Sequence, residues 1–340
     1  MPFGQVLTGP PGSGKTTYCA GMRDFLQQNG RDTIIINMDP ANENITYDCA
    51  IDVSELICLE TVMDTLDLGP NGGLVYCMNY IDSNFDWLAG QLEAFQDKYL
   101  LFDFPGQVEL YTHETSVHKI LEKLGKLNFR LSAVNLVDAH HCTDSSKFIS
   151  VVLMSLASMV RLELPHINVL SKVDLMEQYG KLAYNLDFYT DVLDLRFLLN
   201  WLDAERLGLH FDEEDENGNQ KLVLDEDTQR TESRGSGSSK FQRLNEALID
   251  VIEDFSLVSF HPIQIHDARS LKALILAIDK SNGYVFTSVD WKSAVAQDSR
   301  EDNEHIMDMQ ERFLGTKRSQ DDSSELQEEM RNVAGVNGRR

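Results

Sequence analysis

Gly9-Pro10-Pro11-Gly12-Ser13-Gly14-Lys15-Thr16, followed by Thr17, matches the phosphate-loop pattern G-x-x-x-x-G-K-[ST] in full. An apolar run, Phe3 to Thr8, precedes it, and a helix-like stretch, Lys15 to Gln28, follows. That order of strand, glycine loop and helix turns a pattern match into a mechanism. Glycines let backbone N–H groups curl around phosphate oxygens, and the helix N-terminus adds its partial positive charge. Gly12, Ser13, Gly14, Lys15, Thr16 and Thr17 are therefore the candidate phosphate cradle of a nucleoside triphosphate. In this reading Lys15 reaches the β- and γ-phosphates, and the Thr16 hydroxyl is a ligand of Mg²⁺.

Working outward, apolar runs recur at Thr33–Asn37, Tyr99–Phe102, Leu131–Val137, Ile167–Leu170 and Leu257–Ile265, with helical stretches between them. This rhythm predicts an α/β fold, a doubly wound and mostly parallel sheet. The runs from Thr33 to Leu170 end in Asp39, Asp103, Asp138 and Ser171. In such sheets the ligand lies beyond the carboxyl ends of the strands. Those side chains are thus aimed at the place where the phosphate loop sits.

Composition narrows the partners. The 340 residues allow one large or two small domains, and a hydrophobic content of 42% suffices for a substantial core. Against 30 basic side chains stand 55 acidic ones, a net charge of −25. Such a surface repels phosphate backbones and anionic bilayers, so neither direct nucleic-acid binding nor membrane binding is expected. The phosphate loop is a local exception built mostly of backbone dipoles. Cys19, Cys49, Cys58, Cys77 and Cys142 are scattered, with no C-x-x-C spacing, which suits reduced thiols in a cytoplasmic or nuclear protein. The chain enters strand and phosphate loop at once, so no signal peptide is expected. The most apolar stretch, Phe148 to Val160, reads as too short to span a bilayer.

Two segments leave the rhythm. Residues 203–239 hold an acidic block (Asp212 to Glu216) and a Gly/Ser stretch, read as a flexible solvated insertion before a helix at Lys240–Phe255. From residue 291 to 340 the chain is polar and charged. A helix is expected over Ser299–Phe313 and a frayed tail beyond Gln320.

Four further motifs carry chemistry. Asp103-Phe104-Pro105-Gly106-Gln107 ends an apolar run. Its aspartate can hold Mg²⁺, the Gly106 amide can approach a γ-phosphate, and the Gln107 amide can orient attacking water. Ser171-Lys172-Val173-Asp174 resembles the guanine-reading [NT]-K-x-D of GTPases, with Ser171 in place of the usual Asn or Thr. The Asp174 carboxylate accepts from guanine N1 and N2, a pattern adenine lacks, while the Lys172 stem packs along the base. A second wall for the base is expected at His266-Asp267-Ala268. At Asp39-Pro40-Ala41-Asn42, proline forces an extended exit that turns the carboxylate toward the strand tips. There Asp39 could bind Mg²⁺ or polarise the nucleophilic water. Gly69-Pro70-Asn71-Gly72-Gly73, taken alone, is turn chemistry.

Together and in this order, these motifs resemble the GPN-loop GTPases, from residue 3 to about residue 285. The resemblance implies a P-loop NTPase fold over residues 1–290 with helices on both sheet faces, and GTP and Mg²⁺ as substrate and cofactor. It also implies a homodimer, or a heterodimer with a paralogue, in which Gly69, Pro70 and Asn71 of one subunit project into the other's site. Asn71 would then donate its amide to the γ-phosphate, a milder relative of an arginine finger. Pro70 would stiffen the approach, and Gly72 and Gly73 would allow tight turns beside the partner. A role in RNA polymerase assembly, with RNA polymerase subunits or assembly factors as partners and with passage between cytoplasm and nucleus, is likewise implied by resemblance alone. The apolar surplus at Val151, Val152, Met154, Leu156, Met159 and Val160 fits either core packing or a dimer seam. Other classes stay open at this point: a GTP-binding scaffold with negligible turnover, or a related ATPase or small-molecule kinase, although no arginine-rich lid is visible.

Overall fold

Each central strand divides its apolar residues between two faces. Val6, Ile36, Leu100, Phe102 and Ala133 lie in one core, and their neighbours Leu7, Ile35, Leu101 and Val134 lie in another across the sheet. A strand covered on both faces must be apolar throughout, which is why these segments read as continuous runs. The computed structural model describes residues 1–42, 45, 47–179, 182, 184–192, 195–199, 209–211, 222–224, 238–255, 257–287, 306–310 and 312.

The strands are β1 (Phe3–Thr8), β2 (Thr33–Asn37), β3 (Ile51–Asp52), β4 (Tyr99–Asp103), β5 (Arg130–Asp138), β6 (His166–Ser171), β7 (Leu209–Phe211), β8 (Leu222–Leu224) and β9 (Phe260–Pro262). The helices nearest the chain start are α1 (Lys15–Gln28), α2 (Leu59–Leu66), α3 (Pro70–Ser83), α4 (Phe85–Leu92), α5 (Glu109–Thr112) and α6 (Ser116–Lys126). Then come α7 (Ser145–Leu162), α8 (Met176–Tyr179), α9 (Leu186–Asp191), α10 (Ser238–Phe255) and α11 (Ala268–Asn282). A seven-stranded sheet in the order β3-β2-β4-β1-β5-β6-β9 is parallel at every pairing. α1 and α11 cover one face, and α3, α4 and α6 the other. The expected doubly wound α/β sheet is the fold found.

Register brings the strand ends level. Leu7 and Asn37 both lie opposite Asp103, and Asp138 lies opposite Ser171. The reversal of strand order beside β1 is the switch point of such sheets, so the loop after β1 opens into the crevice where ligands bind. A buried ion pair braces the opposite end. Arg31 holds Asp279 through two hydrogen bonds of 2.9 and 2.6 Å, its guanidinium 4.0 Å from the Tyr284 ring centre.

Several expectations change. β3 is two residues long and has no apolar run to announce it, and the last strand shortens from Leu257–Ile265 to Phe260–Pro262. Within the expected insertion, β7 and β8 pair as an antiparallel ribbon, while the acidic block Asp212–Glu216 lies outside the described residues. In the C-terminal extension residues 306–310 are helical, and Met309 is fully buried in the core shared by α7, α9 and α10. The apolar stretch judged too short for a bilayer belongs to α7, whose 18 residues would suffice by length and composition. α7 instead buries Phe148, Ile149, Val152 and Leu156 in the protein core. Met154 and Val160 remain exposed. All five cysteines are free thiols.

Candidate nucleotide site

The loop after β1 has the backbone that phosphate binding demands. Gly9, Gly12 and Gly14 have φ of 130°, 79° and 91°, a region that side chains with a Cβ disfavour. Gly14 is the N-cap of α1, so the first amides of that helix point into the loop. Lys15 is buried, and its Nζ donates to the carbonyls of Gly9 (3.0 Å) and Pro10 (3.2 Å). Burial lowers its pKa, and the facing carboxylates of Asp103 and Asp39 act in the opposite direction.

Those carboxylates come from the tips of β4 and β2. Asp103 Oδ2 accepts from the Tyr47 hydroxyl at 2.7 Å and from Thr16 Oγ1 at 3.4 Å. Asp39 Oδ1 accepts from the Ala41 amide at 2.9 Å, a contact made possible by the chain's exit through Pro40. Burial raises the pKa of both aspartates, against the pull of Lys15. Two carboxylates facing one ammonium leave surplus negative charge in a poorly hydrated site. With the Thr16 hydroxyl they form a hard oxygen donor set, which fits Mg²⁺. When bound, that ion would supply Lewis-acid charge to phosphate oxygens.

Gly106 closes over the loop. A Cβ there would stand 2.9 Å from Lys15 Nζ and 3.1 Å from Pro11 N, so any side chain at this position would have to displace the lysine or the loop. Gln107 Oε1 and Ser13 Oγ are buried without a hydrogen-bond partner among the described residues. The former is an acceptor available to a water molecule attacking a phosphate held by the loop. Lys15, Thr16, Asp39, Asp103, Gly106 and Gln107 line one cleft of about 800 Å³.

Pro70 and Asn71 line the same cleft from α3 of the same chain. Their local structure differs from the expected turn. Gly69 is an N-cap, and Pro70 opens the helix at N1, where its missing N–H costs nothing. Asn71 and Gly72 are exposed in the first turn. Gly73 serves packing between helices rather than a tight turn, since a Cβ there would meet Leu59 Cδ1 at 2.8 Å and Met63 Cγ at 3.2 Å.

A second cavity, of about 150 Å³, continues from the phosphate loop at Gly14 and Thr17 to Lys172 and Asp174. Lys172 has φ of 60°, and its Nζ bridges the Gly12 carbonyl and Asp138 Oδ2 at 2.6 Å each. Ser171 Oγ donates to the Ser13 carbonyl at 2.8 Å. The Ser171-Lys172-Val173-Asp174 segment is thus tied directly to the phosphate loop, with serine as a brace where the resembling motif has Asn or Thr. Gln264, Ile265 and His266 form the far wall. Ala268 is not part of that lining. It is the first residue of α11, N-capped by Asp267, so the expected wall shifts toward the strand. Sequence reasoning missed Tyr47, which lies in a loop without periodicity, and the wall residues Gln264 and Ile265. Asp138 was visible as a strand-tip carboxylate, but its pairing with Lys172 was not.

The family profile described as "Conserved hypothetical ATP binding protein" matches residues 7–284. GPN-loop GTPase 2 of Danio rerio is 50% identical over 294 residues, covering 86% of this chain and 85% of its own. The GPN-loop GTPase 2 homolog of Dictyostelium discoideum is 49% identical over 298 residues, covering 87% and 85%. The crystal structure of a GTPase in apo form from Pyrococcus abyssi shares the fold at a TM-score of 0.56 and 18% identity, over 82% of this chain and 97% of that one. The profile's description names ATP and the relatives' names GTP. With its phosphate loop, strand-tip carboxylates and Gly-Pro-Asn helix start, the chain belongs to the GPN-loop GTPase family.

Proposed function

We propose that this protein binds GTP with Mg²⁺ and hydrolyses it to GDP and phosphate. The observation that carries the reading is a pair of cavities that both border the phosphate loop, one lined by Lys15 and Gly106 and the other by Gly14, Thr17 and Asp174. In the ground state, loop amides and Lys15 hold the phosphates, and Asp174 accepts from the guanine edge. The protein's work in hydrolysis is positioning: Gln107 or Asp39 orients water, and donors meet charge growing on the terminal phosphate. Competition among GTP, ATP and their diphosphates for labelled GDP tests the base. Asp174→Ala should weaken GTP about 10- to 150-fold, the worth of a hydrogen bond to a charged group, and abolish preference over ATP. ATP winning against the wild-type protein would overturn the assignment.

The same reading makes the protein a dimeric nucleotide switch or assembly chaperone whose partner is a second copy or a paralogue. Exposure of Pro70 and Asn71 at the cleft rim supports a role for Asn71 across an interface, donating to the γ-phosphate of the neighbouring site. Mixing Asn71→Ala protein with Lys15→Ala protein tests this. Restored phosphate release in the mixture is expected, and none in any ratio would refute action in trans. By family resemblance the clients are RNA polymerase subunits or assembly factors. The protein would then act in the cytoplasm with passage to the nucleus, and retention of those subunits by GTP-loaded but not GDP-loaded protein is the test.

A further inference from the structure

The described part of the C-terminal extension docks beside the base cavity, and it docks at three points. Met309 is fully buried in the core with residues of α7, α9 and α10, and Ile306 packs against the same core. Gln310 Oε1 accepts from the Leu186 amide at 2.6 Å. Leu186 is the first residue of α9, whose own N-cap, Asn185, makes no side-chain cap bond. The segment therefore supplies the cap that α9 lacks. At the third point Arg312 pairs with Asp308 at 2.7 Å and lies 3.9 Å from Asp267, while Arg269 lies 3.8 Å from Asp308.

Asp267 is the hinge of this arrangement. Its carboxylate caps α11 through the amides of Arg269 and Ser270, both at 3.3 Å, and its own amide donates to the Gln264 carbonyl at 3.0 Å. Ser270 Oγ closes the turn by donating to the same carbonyl at 2.9 Å. The residues inside that turn, Gln264, Ile265 and His266, form the wall of the base cavity opposite Asp174. On its inner side the turn presses on α1 so tightly that a Cβ at Gly21 would stand 2.5 Å from Ile265 Cγ1. On its outer side it is held by Asp267 and the segment paired to it.

We infer that residues 306–310 and 312 form a strap that positions the base-contacting turn and sets how fast guanine nucleotide leaves. The inference rests on the reading of the cavity beside Asp174 as the base site. Arg312, Met309 and Gln310 are positioning residues, with no contact to the nucleotide required. Their effect is on the wall, so it falls on release of the base and not on the phosphate loop.

The test uses the full-length protein and release of fluorescently labelled GDP into excess unlabelled GDP. Arg312→Glu places a third negative charge beside Asp267 and Asp308, and should speed release about two- to fivefold, the range of an ion pair at the surface. Its melting temperature without nucleotide should stay near the wild-type value. Arg312→Lys keeps the charge and should restore slow release. Met309→Ala loosens the anchor and should speed release further, with a lowered melting temperature. Wild-type release rates in both Arg312→Glu and Met309→Ala would overturn the strap. Asp174→Ala, assayed for GTP over ATP preference, tests the base site separately: an unchanged preference refutes the base site, whereas a lost preference with wild-type release in the strap variants refutes the strap alone.

Discussion

Replacing Gly106 by alanine isolates the contact between the strand-tip loop and the phosphate loop. Gly106 is not among the glycines with positive φ, so alanine brings no backbone strain. What it brings is one methyl group, 2.9 Å from Lys15 Nζ, 3.1 Å from Pro11 N and 3.2 Å from Pro11 Cα, where ordinary contacts begin at 3.4 Å. Backbone on one side cannot retreat cheaply, so the lysine must move by about half an ångström or more. Its Nζ is held by two carbonyls at 3.0 and 3.2 Å, and a shift of that size weakens both bonds. The methyl group also occupies the space through which the Gly106 amide would meet a terminal phosphate. A hydrogen bond to a charged group is worth about 1.5–3 kcal/mol, which corresponds to about a 10- to 150-fold loss of affinity. Calorimetric titration with GTP and with GDP, both with Mg²⁺, should show that loss for GTP and a smaller one for GDP. Equal losses, or unchanged GTP affinity in a folded variant, would refute the placement of Gly106 over the terminal phosphate.

Other expectations concern charge and packing. Asp103 has a pKa raised by burial, so the native state binds its proton more tightly than the unfolded chain does. The stability this provides is present at low pH and is lost as pH rises from about 3.9, the unfolded value, through the raised native one. Urea midpoints of wild type should therefore fall relative to Asp103→Asn across that window, and a relative rise would contradict the burial argument. Adding Mg²⁺ with nucleotide should shrink the difference. Gly73→Val crowds Leu59 and Met63 between α2 and α3 and should destabilise by about 1–3 kcal/mol in chemical denaturation. Stability equal to wild type would mean that the two helices part without penalty.

Much of this molecule is legible along the chain because local chemistry and global fold agree. Glycine spacing around Lys15 dictates a backbone only glycines tolerate, and runs such as Thr33–Asn37 are apolar on both faces because helices cover both. The strand-tip residues Asp39, Asp103 and Ser171 could be picked out because a parallel sheet puts every strand end on one edge. Where two local rules competed, the reading failed. Gly-Pro-Asn-Gly-Gly favours a turn by composition, yet Pro70 is equally suited to the first position of a helix, and packing of Gly73 against α2 decides for the helix.

What the sequence by itself determined is the class of fold, the phosphate loop and the identity of the side chains brought to the strand tips, since each follows from spacing and period within a few residues. Only the tertiary structure decided that Tyr47 holds Asp103, that Lys172 joins Asp138 to the Gly12 carbonyl, and that Met309 returns from the C-terminal extension to the core. Those contacts join segments 34 to 160 residues apart, or the C-terminal Met309 to a core formed earlier in the chain. No local preference encodes such pairings, because they arise where separate elements happen to close on one another once the sheet has formed.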